Sequence, residues 1–357
     1  MKHTILFCLA LLVISSFVKA QDAAPVPPTK AGYIIVTDTV PADGKTDVAD
    51  MIQKIIDDNP NRTIYFPDGV YLLSHSIATP AKPTLSVDLK LSNYAILKAT
   101  PDWKDPEAIV RLGGKVPFND IRTDGSNYGL TGGIIDGSMV AKGISIDSGR
   151  ETKIRDVSIK HTKIGIHIKR GANSGSSDSD ILSVNIVGNK ARDSIGVLVE
   201  GYDNTLSNMR IADVYVGLDI RSAGNSFRNL HPLYTCGWND YGDSTGFWDR
   251  SGGNNWYSFC YSDQFAIGFH LARSIHSTFD SCFCYWYAGK EPHEIGILAD
   301  ESFNSIFNCF TCNFNGNSPK SIVLKEGKPG GQGLLMYPRI TGPNIQEKEV
   351  YEAYMRK

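Results

Sequence analysis

From Gly143 to Ala299 the chain repeats one pattern of apolar and polar positions. The unit is Gly-apolar-x-apolar, and it appears at Gly143-Ile144-Ser145-Ile146, Gly165-Ile166-His167-Ile168 and Gly196-Val197-Leu198-Val199. It continues at Gly217-Leu218-Asp219-Ile220, Gly268-Phe269-His270-Leu271 and Gly296-Ile297-Leu298-Ala299, with a looser copy at Gly246-Phe247-Trp248-Asp249. Successive copies start 22, 31, 21, 29, 22 and 28 residues apart. A second segment interleaves with the first, as in Thr205-Leu206-Ser207-Asn208, Ser226-Phe227-Arg228-Asn229 and Ser305-Ile306-Phe307-Asn308, and each runs on in alternation, as in Met209-Arg210-Ile211. Alternation with period two predicts strands that bury one face.

Two short strands per repeat cannot enclose a core alone, but stacked on their neighbours they bury a continuous apolar interior. The variable spacing predicts loops of different length between fixed strands. A leucine-rich solenoid needs a regular Leu-x-x-Leu-x-Leu pattern, which the chain lacks. The predicted fold is all-β: a right-handed, single-stranded parallel β-helix. The Asn208, Asn229 and Asn308 column reads as a structural ladder of turn or buried amides.

Before the repeats, Asp43-Gly44-Lys45-Thr46-Asp47 precedes Val48, Met51, Ile52, Ile55 and Ile56 at helical spacing. That predicts an amphipathic helix, capped by Thr46 or Asp47. The strands Thr63-Ile64-Tyr65-Phe66 and Val70-Tyr71-Leu72-Leu73 follow, around the turn Pro67-Asp68-Gly69. An open β-helix end exposes strand edges and core, so a helix placed there as a cap solves a physical problem. Over residues 35–78 this arrangement resembles the N-terminal segment of the pectate lyase superfamily, which includes polygalacturonase-like proteins and phage tailspikes. The resemblance implies the β-helix but not one chemistry, since members include lyases, hydrolases and binders. Val48 stands where that family usually has a second Asp. Gly132-Gly133-Ile134-Ile135-Asp136-Gly137 is similar to a polygalacturonase segment, but that family's downstream catalytic motifs are not found. Asp178-Ser179-Asp180 is no substitute, so a standard polygalacturonase mechanism is not implied.

The first residues are Met1-Lys2-His3, followed by an apolar run from Thr4 to Phe17 and the small-residue site Val18-Lys19-Ala20. This reads as a secretory signal peptide over residues 1–20, and the apolar run falls short of the ~20 residues needed to span a bilayer. The expected organisation is then a flexible segment over 21–32, a β-helix over 33–335 and a C-terminal tail over 336–357 with room for a capping helix. The predicted location is periplasmic or secreted, with no membrane span in the mature chain. A formal charge of −2, from 36 basic and 38 acidic residues, argues against nucleic acid as a partner. A homo-oligomer stays open. Cys282 and Cys309 are expected as neighbours in one inward column, as core thiols or one disulfide. No motif implies a cofactor, and no acidic or cysteine cluster predicts a metal site.

Candidate chemistry follows from the register. The third residue of each Gly-apolar-x-apolar unit should point outward. Stacking places Ser145, His167, Leu198, Asp219, Trp248, His270 and Leu298 in one column. Two positions on, the same face carries Asp147, Lys169, Glu200, Arg221, Arg250, Ala272 and Asp300. Asp219 and His270 can exchange a proton. Arg250 and Arg221 can pair with a uronate through a planar fork, and Trp248 offers a ring face to a sugar. His167 and Lys169 extend the patch as substrate contacts. The two longest loops add Trp238, Asp240, Tyr241 and Asp243, and then Trp286, Lys290 and His293; loops longer than their neighbours often carry function. Three functions fit a polysaccharide or oligosaccharide partner. They are β-elimination in a polyuronide, hydrolysis by the loop carboxylates Asp240 and Asp243, and carbohydrate binding or scaffolding without turnover.

Overall fold

The structure, a computed structural model, describes residues 32–115, 128–170, 176–237, 242–289 and 295–299, together with the backbone of the strands Ile306–Asn308, Thr311–Gly316, Lys320–Leu324 and Leu335–Tyr337. Its strands coil into a right-handed parallel β-helix. Ten strands, from Ile77–Pro80 to Lys320–Leu324, form one parallel sheet in which each rung pairs with the next. The remaining described strands form a larger parallel sheet that bends at each rung. The last described strand, Leu335–Tyr337, pairs with Ile306–Asn308 and so runs past the expected domain boundary at 335.

Close approach explains the glycine of the repeat. A Cβ on Gly143, Gly165, Gly196 or Gly217 would lie 2.6, 2.6, 2.5 or 2.4 Å from the carbonyl oxygen of the next rung's glycine. It would also meet an inward side chain such as Ile186 or Pro232. These glycines keep ordinary negative φ, so the missing side chain is what the site requires.

The apolar positions fill the interior. Ile166, Leu218 and Phe269 are fully buried in one core cluster. Aromatic rings continue the stack from rung to rung: Phe247 on Phe269 at 4.5 Å and Tyr257 on Phe279 at 4.4 Å. Asp249 breaks the apolar pattern at an inward position. It is fully buried and accepts hydrogen bonds from Tyr257 Oη, Ser274 Oγ and the Ser251 amide at 2.8, 2.8 and 3.0 Å.

The bends in the larger sheet come from residues with left-handed backbone. Asn208 and Asn229, at φ 55° and 52°, join two strand halves, and Asn229 Nδ2 donates to Asn208 Oδ1 at 2.9 Å. Asparagine tolerates this conformation better than most residues. Asn208 and Asn229 are exposed, whereas Asn308, expected in the same column, pairs in register with Asp280 and so aligns with Arg228, one position from Asn229. A second, buried ladder of Asn204, Asn225 and Asn255 lines another corner, one residue before the second repeat segment.

The helix Ala49–Asp58 turns Ala49, Ile52 and Ile56 into the same core cluster and caps the β-helix. Asp47 Oδ1 accepts the Ala49 amide at 3.2 Å, while Met51, expected on the buried face, is exposed. The four cysteines described with their side chains, Cys236, Cys260, Cys282 and Cys284, are free thiols. Cys282 neighbours Cys260, and burial raises its thiol well above the usual range. Cys309 lies outside the described residues. No described helix is long and apolar enough to cross a membrane.

Candidate functional site

The ten-stranded sheet holds the predicted column in register. Ser145 pairs with His167, His167 with Leu198, Leu198 with Asp219, Asp219 with Trp248, Trp248 with His270 and His270 with Leu298. Inward Ile, Val, Leu and Phe neighbours fix this alternation, so the intervening side chains must face out.

Facing out does not mean solvated here. Asp219 is only 1% exposed, and Ser145, Asp147, Leu198 and Leu298 are also buried. A carboxylate so removed from water needs partners. Asp219 has two guanidiniums: Arg250 donates from Nε to Oδ1 at 2.8 Å and from Nη2 to Oδ2 at 2.6 Å. Arg221 donates to Oδ2 from Nε at 3.1 Å and Nη2 at 2.7 Å. The expectation that Arg221 and Arg250 stand ready for a substrate is therefore corrected, because both already hold a protein carboxylate.

Arg221 reaches on to Glu200, with Nη1 2.9 Å from Oε1, and the other Glu200 oxygen lies 2.8 Å from His167 Nε2. Burial is the main cause that holds the His167 imidazole below its ordinary proton affinity. Glu200 opposes it, and Lys169 and Lys142 add to it. A second run of pairs lies on the rungs before. Asp147 accepts Arg111 Nε and Nη2 at 2.9 and 2.6 Å, lies 3.1 Å from Lys169 Nζ, and accepts the Ser145 hydroxyl. Lys169 also pairs with Glu107. Burial alone would raise the Asp147 carboxyl. The Ser145 hydroxyl, Lys169 and Arg111 outweigh it and hold the group below the usual carboxylate range. Glu107, Asp147, Glu200 and Asp219 are thus matched by Arg111, Lys169, Arg221 and Arg250.

Trp248 is packed rather than offered. The Arg250 guanidinium sits 4.1 Å from its ring centroid, and the His270 ring stacks on it at 5.7 Å with planes 4° apart. These two neighbours take up the ring faces, which corrects the idea of an open platform for a sugar. Its buried Nε1 has no hydrogen-bond partner among the described residues.

The loop residues divide. Trp286 is corrected outright: it is fully buried and donates from Nε1 to the Phe265 carbonyl at 2.7 Å, so it anchors the core and cannot reach a ligand. Asp243 is described, with its side chain 80% exposed and paired to Arg192 at 3.3 Å. Trp238, Asp240, Tyr241, Lys290 and His293 lie outside the described residues.

Sequence reasoning missed Glu107, Arg111 and Lys142. Arg111 sits in the strand Ala108–Lys115, which pairs in register with Lys142–Ile146 but lacks the Gly-apolar-x-apolar pattern. The signal that could have found it is the alternation Val110-Arg111-Leu112. Among the described residues no group of three or more His, Cys, Asp or Glu side chains that could hold a metal ion occurs.

A family model described as "Rhamnogalacturonase A/epimerase, pectate lyase-like" matches residues 36–228, more than half of the chain. No curated protein sequence matches. Among solved structures, the chain resembles the ORF18 protein of Geobacillus virus E2 at 16% identity and a TM-score of 0.50, covering 81% of this chain and 62% of that one. The chain therefore spans about three fifths of that relative's length. It resembles the Dettilon tailspike protein at 13% identity and a TM-score of 0.56, covering 85% and 68%. It resembles an alginate lyase from Paenibacillus at 14% identity and a TM-score of 0.50, covering 78% and 96%. At these identities the likeness is one of fold.

Proposed function

This chain belongs to the rhamnogalacturonase A/epimerase, pectate lyase-like family, and from that premise we propose that it is an exported enzyme that cleaves a polyuronide by β-elimination on the outer face of its ten-stranded sheet. One observation carries the reading. His167, on this face, lies with Nε2 2.8 Å from Glu200 within a row of cations, Lys169, Arg221 and Arg250, that neutralise the neighbouring carboxylates. β-Elimination needs cations around the substrate carboxylate, where negative charge develops, and a base at the neighbouring carbon. The ion-paired face supplies the first, and His167, Asp219 and His270 are its candidates for proton transfer. The signal-like N-terminus supports export.

The test is a screen of acidic and neutral glycans with two readouts. Elimination creates a C=C bond that absorbs in the ultraviolet. Reducing ends without that absorbance would mean hydrolysis and would return attention to Asp243 and Asp240. Binding without either product would mean a carbohydrate-binding β-helix, and solvent deuterium entering an uncleaved polymer would mean epimerisation.

A further inference from the structure

We propose that His167, aimed by Glu200, is the base that removes the proton beside a uronate carboxylate. The inference rests on the polyuronide reading above and names the working group within that face.

The geometry fixes the tautomer. His167 Nε2 lies 2.8 Å from Glu200 Oε2. An ionised carboxylate only accepts, so Nε2 carries the proton and Nδ1 keeps the lone pair. No described residue hydrogen-bonds Nδ1. Glu200 cannot swing away easily, because Arg221 holds its other oxygen and is itself anchored on Asp219. Arg221 and Glu200 are therefore positioning residues. The His167 side chain is 15% exposed, enough for a ligand to meet one edge of the ring.

The surroundings keep the imidazole in its basic form. Burial disfavours the charged ring, and Lys169 and Lys142 add to that, against the pull of Glu200. The register neighbours Ser145 and Leu198 carry no charge. A base must be unprotonated at working pH, and these contacts favour that state.

The alternatives are placed less well. Both Asp219 oxygens are occupied by guanidinium N–H groups, so taking a proton there would break charge-assisted bonds. The cations sort in the same way. Arg111 and Lys169 pair with Asp147, and Arg221 and Arg250 with Asp219.

The step balances without a co-reactant. Nδ1 takes the proton from the carbon bearing the carboxylate. The electron pair left behind forms a C=C bond as the bond from the next carbon to the glycosidic oxygen breaks. The imidazolium returns its proton to that leaving oxygen. One glycosidic bond becomes one unsaturated uronate and one hydroxyl.

The first test reads His167 directly in the full chain, through imidazole nitrogen NMR. A neutral ring protonated at Nε2 is expected at neutral pH, and Glu200→Gln should erode that tautomer preference. A ring that is cationic at neutral pH, or protonated at Nδ1, overturns the proposal before any glycan is tried. The second test uses the polyuronide that the screen identifies. His167→Asn should lower kcat by about 10²–10⁴-fold with KM little changed, the usual loss for a proton-transfer group. Glu200→Gln should move the acidic limb of the kcat/KM profile to lower pH, since it removes the charge that favours His167 protonation. A folded His167→Asn with near-wild-type kcat, beside an Arg250→Ala that is inactive, overturns the base and leaves the face standing. No polyuronide eliminated by the wild type overturns the functional reading, and the base with it.

Discussion

Arg250 holds both carboxylate oxygens of Asp219, with Nε 2.8 Å from Oδ1 and Nη2 2.6 Å from Oδ2. The pair is asymmetric in its exposure: 2% of the Asp219 side chain is accessible, against 34% for Arg250. The carboxylate is thus the member that depends on its partner. Removing either group leaves the other's charge unbalanced, but the exposed guanidinium can recover water whereas the buried carboxylate cannot.

That asymmetry sets the first expectation. Arg250→Ala should destabilise the fold by about 2–3 kcal/mol, less than the loss of a fully buried pair because Arg221 remains and solvent screens the exposed side. Asp219→Asn keeps the shape and leaves Arg221 and Arg250 to water they already reach, so it should cost less, though the two guanidiniums then face one another. Neither is the neutral surface change that an outward, solvated column would predict. Urea unfolding of both variants checks this; midpoints equal to the wild type would mean that these charges are solvated in place.

The glycine column makes a sharper steric prediction. A Cβ on Gly217 would lie 2.4 Å from the Gly246 carbonyl oxygen and 2.6 Å from Pro232 Cβ. The backbone of one rung must then move away from the next, so Gly217→Ala should cost about 1–3 kcal/mol, the usual range for overpacking. Gly242→Ala is the control, since nothing lies within 4 Å of its Cβ position. Melting temperatures should fall for the first and hold for the second.

The two asparagine ladders should respond differently. Asn225 Oδ1 accepts the Asn204 amide and side chain at 3.0 Å each, and its Nδ2 donates to Ser222 and Ala223 carbonyls at 3.1 Å. All of these bonds are buried except the part-buried one to Ala223. Asn225→Ala strands several polar groups away from water, at about 1–3 kcal/mol for each group left unpaired. Asn229 is exposed, and water can replace its bond to Asn208. Asn229→Gly should be nearly neutral, because glycine accepts the φ of 52° without strain. Denaturant midpoints of the two variants separate the ladders.

Much of the fold was legible because the alternation is strict. Ile166, Leu218 and Phe269 had to face one interior once Gly-apolar-x-apolar was seen to recur, and the register of His167, Asp219, Trp248 and His270 followed from it. What alternation cannot state is how much water an outward residue keeps. Asp219 and Leu198 face out yet are buried, because that depends on the long side chains around them, such as Arg221 on the same rung and Arg250 on the next over Asp219. Trp286 failed for a related reason. Its segment has the composition of a loop but continues a strand, Phe283–Gly289, where Trp286 falls on the inward side. Arg111 was missed because its rung lacks the glycine that marked the others.

Acid should weaken the fold in two windows, each traceable to one residue on the candidate face. Burial first, aided by Lys169 and Lys142, lowers the His167 value below 6.5. Below about pH 6.5 the unfolded chain therefore binds a proton that the folded ring resists, and stability falls as pH drops. Asp147 acts lower. Burial would raise its carboxyl, but Ser145, Lys169 and Arg111 bring it below 3.8. Its contribution is present above the unfolded value and is lost as pH falls through the folded one. Asp88, raised by burial, works in the opposite sense, so the comparison must be made between single variants rather than read from the wild-type curve. His167→Gln should flatten the melting-temperature curve between about pH 5 and 7, and Asp147→Asn should flatten it only below about pH 4 while lowering it above. A His167→Gln curve that parallels the wild type through the upper window would mean that the folded ring takes its proton as readily as the unfolded one, and His167 would then lack the suppressed basicity that its burial beside two lysines implies.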